Sequence, residues 1–212
     1  MNVNSKRDKR VAHGEVTRTA LIDAARELFG EKGYGDTSTD VVVARAGVTK
    51  GALYHHFRGK EDLFRAVFEE VQREVSDQAV AEFLAPDSWE ALVRGCDLWV
   101  RAHLDASVRR IVMQDARAVL GADEVRATEN RYGAVALRGA LRKAMHAGVL
   151  ERQPLRPLAL LLMGALSEGC FYIADESDPA AAQLEVAALI TKMLSAFRLD
   201  ATDSRDGSVE AG

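Results

Sequence analysis

The chain is short of the residues that most often carry chemistry, and each shortage closes a class of function. It has only two cysteines, Cys96 and Cys170, far apart and at no metal-ligand spacing, so both read as buried, reduced thiols and no metal is expected. There is no Gly-rich phosphate loop, no nucleophile elbow, no cluster of metal ligands and no pair of carboxylates at a defined spacing, which leaves an enzyme without machinery and calls for no cofactor. His103 and Asp115 with a serine invite comparison with a hydrolase, but no oxyanion-hole signature accompanies them. The longest apolar run, residues 158–166, is too short to span a bilayer, and the basic N-terminus is followed by no hydrophobic segment. A cytoplasmic protein without a membrane partner is expected. Alternating strand patterns, internal repeats and long linkers are missing too, which leaves an all-α chain.

What is present begins with charge. A net charge of −4 argues against a nucleic-acid partner until it is mapped along the chain. Residues 1–60 carry 11 Lys+Arg against 7 Asp+Glu, net +4, and residues 61–212 carry 17 against 25, net −8. The basic part is the candidate DNA head.

Within it, residues 37–63 (TSTDVVVARAGVTKGALYHHFRGKEDL) place two short helices about one tight turn. Thr37, Ser38 or Thr39 can cap a helix with apolar Val42, Val43 and Ala46, and Gly47 follows as a stop that tolerates positive φ. Thr49 is the natural N-cap of the next helix. Leu53 and Phe57, at i and i+4, form its buried stripe, and Lys50, Gly51, Tyr54, His55 and His56 are left outward. Glycine inside a helix costs roughly 1 kcal/mol against alanine, and close backbone approach at Gly51 would explain it. Lys50 can reach a guanine edge or a phosphate, and Thr49 with the free first-turn amides can hold phosphate. Tyr54, His55 and His56 suit phosphate contacts, which set register, and Lys60 can grip the backbone from the start of a third helix. Taken singly, Tyr54 and the histidines would read as ordinary surface residues.

Together they do not. Residues 37–63 closely resemble the DNA-binding domain of the TetR family of bacterial transcriptional repressors, whose shared run is T-x-x-x-I-A-x-x-A-G-V-S-K-G-x-L-Y-x-H-F-x-x-K-E-x-L. Ala46, Gly47, Val48, Lys50, Gly51, Leu53, Tyr54, His56, Phe57, Lys60, Glu61 and Leu63 all fall in place. Val43 stands where alanine is usual and Thr49 where serine is usual; neither change removes a DNA-contacting group. The preceding helix, residues 16–34, fits as well, with Leu21, Ile22, Ala25, Leu28 and Phe29 on one stripe and Gly33 near its end. Thr37 and Thr39 join the expected DNA-facing set. The domains expected are a flexible basic arm over 1–14, including Lys6, Arg7, Lys9 and Arg10, a three-helix helix-turn-helix domain over 15–62, an all-α ligand-binding and dimerisation domain over 63–200, and a disordered tail over 201–212.

Helices are expected over 60–78, 88–106, 107–120, 123–147, 155–175 and 179–199, separated by breakers such as residues 85–87, Gly121, Gly148 and 178–179. The penultimate one is apolar around most of its circumference and thinned by Gly164, Ala165, Ser167 and Gly169, so one face needs a partner. The last carries Ala180, Ala181, Ala182, Ala187 and Ala188 on one side and Val186, Leu189, Ile190, Met193 and Phe197 on the other. The resemblance implies a four-helix bundle across a twofold axis, and a dimer also suits two half-sites about 34 Å apart.

The remaining signal is polarity on apolar stripes. Trp89, Leu92, Val93, Cys96, Trp99 and Val100 make one stripe that His103 continues; Asp115 follows Ile111 and Val112, and Glu168 and Tyr172 share a face with Leu161 and Ala165. Buried polar groups need partners, so His103 and Asp115 either satisfy each other or backbone groups, or orient a small apolar or amphipathic effector in a pocket lined by Trp99, Met113, Tyr132, Met163 and Phe171. Three classes follow: a ligand-released homodimeric repressor on a palindromic double-stranded operator, a DNA-binding protein of the same fold with an architectural or nucleoid role and no effector, and an enzyme, the last without a motif.

Overall fold

The computed structural model describes the backbone of residues 3–199 and side chains from residue 14 onward. Among the described residues the chain is helical, with one isolated antiparallel bridge between Leu150 and Arg198 and no strand. The chain divides into two compact units.

The first unit holds the described residues up to Arg73 together with Asp105–Thr128. It contains α1 (Val3–Lys32), α2 (Thr39–Ala46), α3 (Lys50–His56) and the first part of α4 (Lys60–Phe83). The stripe Leu21, Ile22, Ala25, Leu28 and Phe29 is buried as the spacing requires. Helix α1 starts at Val3, inside the stretch read as an arm, and stops before Gly33 at φ +84°. The side chains of Lys6, Arg7, Lys9 and Arg10, and the whole of 201–212, lie outside the described residues. Phe64 of α4 meets Phe29 and Tyr34 edge-on with ring centroids 5.2 Å apart in both pairs, which ties the start of α4 to the end of α1.

Residues 105–128 add α6 (Ala106–Arg109), a widened π-helical turn (Arg110–Asp115), α7 (Ala116–Leu120) and α8 (Ala122–Glu129). Helices over 88–106 and 107–120 were expected; the break comes earlier because Asp105 is a helix cap. Its carboxylate accepts from the amides of Ser107 (2.9 Å) and Val108 (3.0 Å). The Ser107 hydroxyl and these amides hold that carboxyl below the usual carboxylate range. Arg65 of α4 reaches Glu124 of α8 and, at 2.9 Å, Glu61 one turn back.

The second unit contains Glu74–Leu104 and the described residues from Glu129. It contains the remainder of α4, α5 (Ser88–Ala102), a second π-helical turn (Asn130–Ala134), α9 (Val135–His146), α10 (Leu155–Asp175) and α11 (Pro179–Ser195). Asp87 caps α5 with two 2.9 Å bonds to the Trp89 and Glu90 amides. Leu92, Cys96, Trp99 and Val100 are buried as expected. Both cysteines are free and buried, and desolvation pushes the Cys96 thiol up to about 12 and the Cys170 thiol upward too, so neither forms a thiolate readily. By length and composition α10 is apolar enough to cross a bilayer, yet Leu158, Leu162, Met163, Leu166, Cys170 and Ile173 pack inside this unit. Helix α11 stops at Ser195 rather than 199 because the chain beyond it pairs with the α9–α10 connection: the Glu151 amide donates to Phe197 O at 2.8 Å and the Leu199 amide to Val149 O at 3.1 Å. Its faces also differ from the expected split. Ala182, Gln183, Val186, Ile190 and Leu194 are buried, and Leu184, Leu189 and Met193 are exposed.

Candidate nucleic-acid interface

The pair α2–α3 is built as its turn chemistry dictates. Of the three cap candidates Ser38 takes the role, accepting from the Val41 amide at 3.3 Å, and Gly47 at φ +66° closes α2 in the left-handed region. Thr49 starts α3 by accepting from the Ala52 amide at 3.2 Å. Leu53 and Phe57 are fully buried, as is Val42, so the outward residues of α3 are fixed by its inward ones. Val43, the departure from the family run, is only half-buried and is accommodated.

Lys50, Gly51, Tyr54 and His55 are exposed and His56 is half-buried. A Cβ placed on Gly51 would meet nothing closer than Thr49 Oγ1 at 3.9 Å, so no packing among the described residues demands glycine there. Lys50 pairs with Asp40 of α2 at 2.7 Å, and that hydrogen bond raises its already high pKa, so it stays charged. Burial, then His55 and Arg18, lower the His56 pKa, which favours a neutral imidazole near neutrality. Thr39 opens α2, half-exposed.

Two expected contacts have other employment. Thr37 is 1% exposed and its hydroxyl donates to Gly33 O (2.9 Å) and Leu28 O (3.2 Å); it closes the α1–α2 turn and has no face for DNA. Lys60 lies 4.1 Å over the Tyr34 ring and donates to Gly35 O at 3.3 Å, so its amine is held against the protein.

The expected effector residues separate. Asp115 and Met113 belong to the first unit, where Asp115 accepts from the Tyr34 amide at 2.8 Å and Met113 is buried. His103 belongs to the second, 2% exposed, its Nδ1 2.8 Å from Trp99 O, with burial lowering its pKa. Each is satisfied by a backbone group of its own unit. Trp99 and Met163 border a narrow apolar void of about 10 Å³, with Ala79, Phe83 and the glycine of the π-helical turn, Gly133. A Cβ on Gly133 would sit 2.6 Å from the Trp99 ring and 2.8 Å from Met163 sulfur. Tyr132 and Phe171 are half-buried. Glu168 and Tyr172 instead line an outer groove of about 360 Å³ between α10 and α11, with Ala165, Leu189 and Met193. Gln72 was missed. It is 1% exposed and neither side-chain polar atom has a hydrogen-bond partner among the described residues, although its place four residues after Phe68 was the same signal that marked His103.

Comparison with known proteins agrees with this geometry. Residues 21–67 match the family model described as "Bacterial regulatory proteins, tetR family", and residues 89–197 match "Tetracyclin repressor-like, C-terminal domain". The HTH-type transcriptional regulator SrpR of Pseudomonas putida is 39% identical over 85 residues, 40% of this chain and 40% of SrpR. The TetC protein of transposon Tn10 in Escherichia coli is 29% identical over 116 residues, 55% of this chain and 59% of TetC. The chain therefore spans well under two thirds of these relatives. A TetR-family regulator from Pectobacterium atrosepticum superposes with a TM-score of 0.78 at 34% identity, covering 89% of this chain and 97% of that one. RolR in complex with resorcinol shares the fold, with a TM-score of 0.68 at 21% identity over 95% of this chain and 98% of RolR. One match covers the two-helix unit with the exposed basic face and the other alone spans half of the sequence, so the chain belongs to the TetR family of transcriptional regulators, DNA-binding proteins that are not enzymes.

Proposed function

We propose that the protein is a cytoplasmic homodimeric repressor that holds a palindromic operator and is released from it by a small apolar or amphipathic effector. The observation that carries the DNA half is the α3 face, where Lys50, Gly51, Tyr54 and His55 are exposed and no side chain among the described residues packs on Gly51. Each α3 enters the major groove of one half-site, and dimerisation sets the two heads about 34 Å apart. The dimer is supported by the apolar outer face of α10 and α11, where Leu161 is 72%, Leu184 65% and Leu189 61% exposed beside the 360 Å³ groove.

Helix α4 contributes residues to both units, and over its 24 residues it is about 36 Å long. The effector must favour one state over the other by a few kcal/mol. The apolar void beside Trp99 and Met163 is where it would open a site, with the unbranched Met163 giving way. At about 10 Å³ that void is far below the roughly 300–1,000 Å³ of formed ligand pockets, which favours a second reading, a regulator of the same fold that answers to no small molecule. Footprinting the protein on its own upstream region, with and without the small molecules handled by neighbouring genes, tests both. Protection of a palindrome that a compound removes supports the first reading, protection that none removes supports the second, and no protection sinks both.

A further inference from the structure

Residues 130–157 carry six basic residues and one acidic residue, in a chain whose net charge is −4. All of this stretch lies in the second unit. Several arginines elsewhere are matched to carboxylates: Arg94 lies 3.1 Å from Glu82 and 3.2 Å from Glu90, and Arg101 lies 2.7 Å from Asp97. Arg138 of α9 and Arg156 of α10 have no ion pair or hydrogen bond among the described residues. They line the same groove, of about 180 Å³, with Asn130 as a third polar wall and Val135 and Leu160 as apolar ones. Asn130 opens the π-helical turn, a widened backbone that recurs at functional sites.

We propose that this groove binds a small organic anion, an oxyanion head of the carboxylate or phosphate type on an apolar body of about benzene size. Two arginines that line one groove and have no carboxylate partner among the described residues leave their charge for an anion, and a guanidinium offers a planar donor fork that matches carboxylate and phosphate oxygens. The Asn130 side chain adds a donor and an acceptor. Val135 and Leu160 give the ligand's apolar part a surface to cover, which a bare inorganic anion would leave exposed. The volume is consistent: an enclosed apolar cavity of about 150 Å³ takes up benzene, and this groove is slightly larger and open on one side. The site is separate from the void beside Trp99 and from the α10–α11 groove, so it adds to the function proposed above and does not depend on it.

Calorimetric titration of the full chain, without DNA, with benzoate, phenyl phosphate, benzamide and inorganic phosphate tests the site. Saturable binding of benzoate or phenyl phosphate is expected, with neutral benzamide about tenfold or more weaker and inorganic phosphate weaker than its phenyl ester. Arg138→Gln and Arg156→Gln should each lower the anion's affinity by about tenfold, and Arg142→Gln, an exposed arginine of α9 outside the groove, should leave it unchanged. Melting curves of the three variants check that the fold is retained. The proposal is overturned if no anion binds saturably, or if Arg142→Gln loses as much as the groove variants, which would make the effect a diffuse field. It is equally overturned if inorganic phosphate binds as tightly as phenyl phosphate, or if the groove variants sediment as a smaller species, which would assign the two arginines to a second copy of the chain. Because no DNA is present, failure here leaves the operator and effector readings standing, and their failure leaves this site standing.

Discussion

Two glycines in helical segments, one in each unit, have opposite surroundings. Gly51 has open space above it, with Thr49 Oγ1 at 3.9 Å the nearest atom a Cβ would meet, whereas a Cβ on Gly133 would lie 2.6 Å from the Trp99 ring and 2.8 Å from Met163 sulfur. The helical cost of glycine is similar in both places, so something must offset it. At Gly133 the offset is inside the protein: the π-helical turn sits directly on the core. At Gly51 no neighbour among the described residues offsets it, as at Gly139 and Gly164, but Gly51 alone of these stands beside Lys50 on the exposed face of the helix-turn-helix. Gly51 leaves an open surface beside Lys50, and Gly133 lets the π-helical turn close onto Trp99 and Met163.

The sharpest way to break this contrast is on the Gly51 side. Lys50→Ala should lower operator affinity by about 1–3 kcal/mol per half-site, with discrimination lost at one base pair, while thermal stability barely moves because its pair with Asp40 is exposed. Fluorescence anisotropy on operator and random duplexes reads the difference. Equal losses on both would remove Lys50 as a base reader. Gly51→Ala belongs with it, raising helix stability by about 0.5–1 kcal/mol while weakening DNA binding; tighter or unchanged binding would mean that the glycine face is not approached.

The assembly surface comes next. Leu189→Glu places a carboxylate on a residue that is 61% exposed in the single chain, so the monomer should fold normally. If α10 and α11 meet a second copy, the charge would be buried and the dimer lost, with a penalty on the order of 3–5 kcal/mol. Sedimentation of the wild type near twice 23.1 kDa and of the variant near 23.1 kDa is the expected pair of results. A variant that remains dimeric would move the interface elsewhere.

In the second unit, Gly133→Val should cost about 1–3 kcal/mol of stability by overpacking against Trp99 and Met163, measured by denaturant unfolding. Little loss would show that the void can open without strain, which favours the effector reading.

The same contrast explains what could be read from the sequence. A helix-turn-helix is a local device: Ser38, Gly47 and Thr49 set its turns by bonds spanning a few residues, and Leu53 and Phe57 fix its orientation, so spacing alone reveals the outward set. Thr37 escaped because its hydroxyl is turned back onto the end of α1, to Gly33 O and Leu28 O, where no capping pattern points. The pocket residues are a matter of distant packing. Periodicity placed His103 and Asp115 correctly on buried or half-buried faces, but the partner of each was a backbone group that no side-chain pattern records: Trp99 O for one, the Tyr34 amide 81 residues away for the other. The wide turns at Arg110–Asp115 and Asn130–Ala134 left no helical stop signal, and each rotates the residues beyond it relative to an unbroken helix.

A pH titration at His103 tests whether the second unit's buried polar residue is structural. Its ring is 2% exposed, its Nδ1 meets Trp99 O at 2.8 Å, and burial lowers its pKa from the ordinary 6.5. A histidine kept neutral in the fold but free to protonate when unfolded makes the unfolded state bind more protons below pH 6.5. Its contribution is therefore fully present above that pH and declines as pH falls from there towards the lowered folded value, with a slope of at most about 1.4 kcal/mol per pH unit. His103→Gln keeps a donor for the Trp99 carbonyl and removes the titration. Unfolding free energies of wild type and variant, taken at intervals from pH 7.5 to pH 5, should converge as the wild type loses its advantage, because the carboxylates shared by both chains cancel in the difference. Parallel curves would mean that the ring takes up its proton in the folded state, and that the bond to Trp99 O does not hold a neutral imidazole in the core.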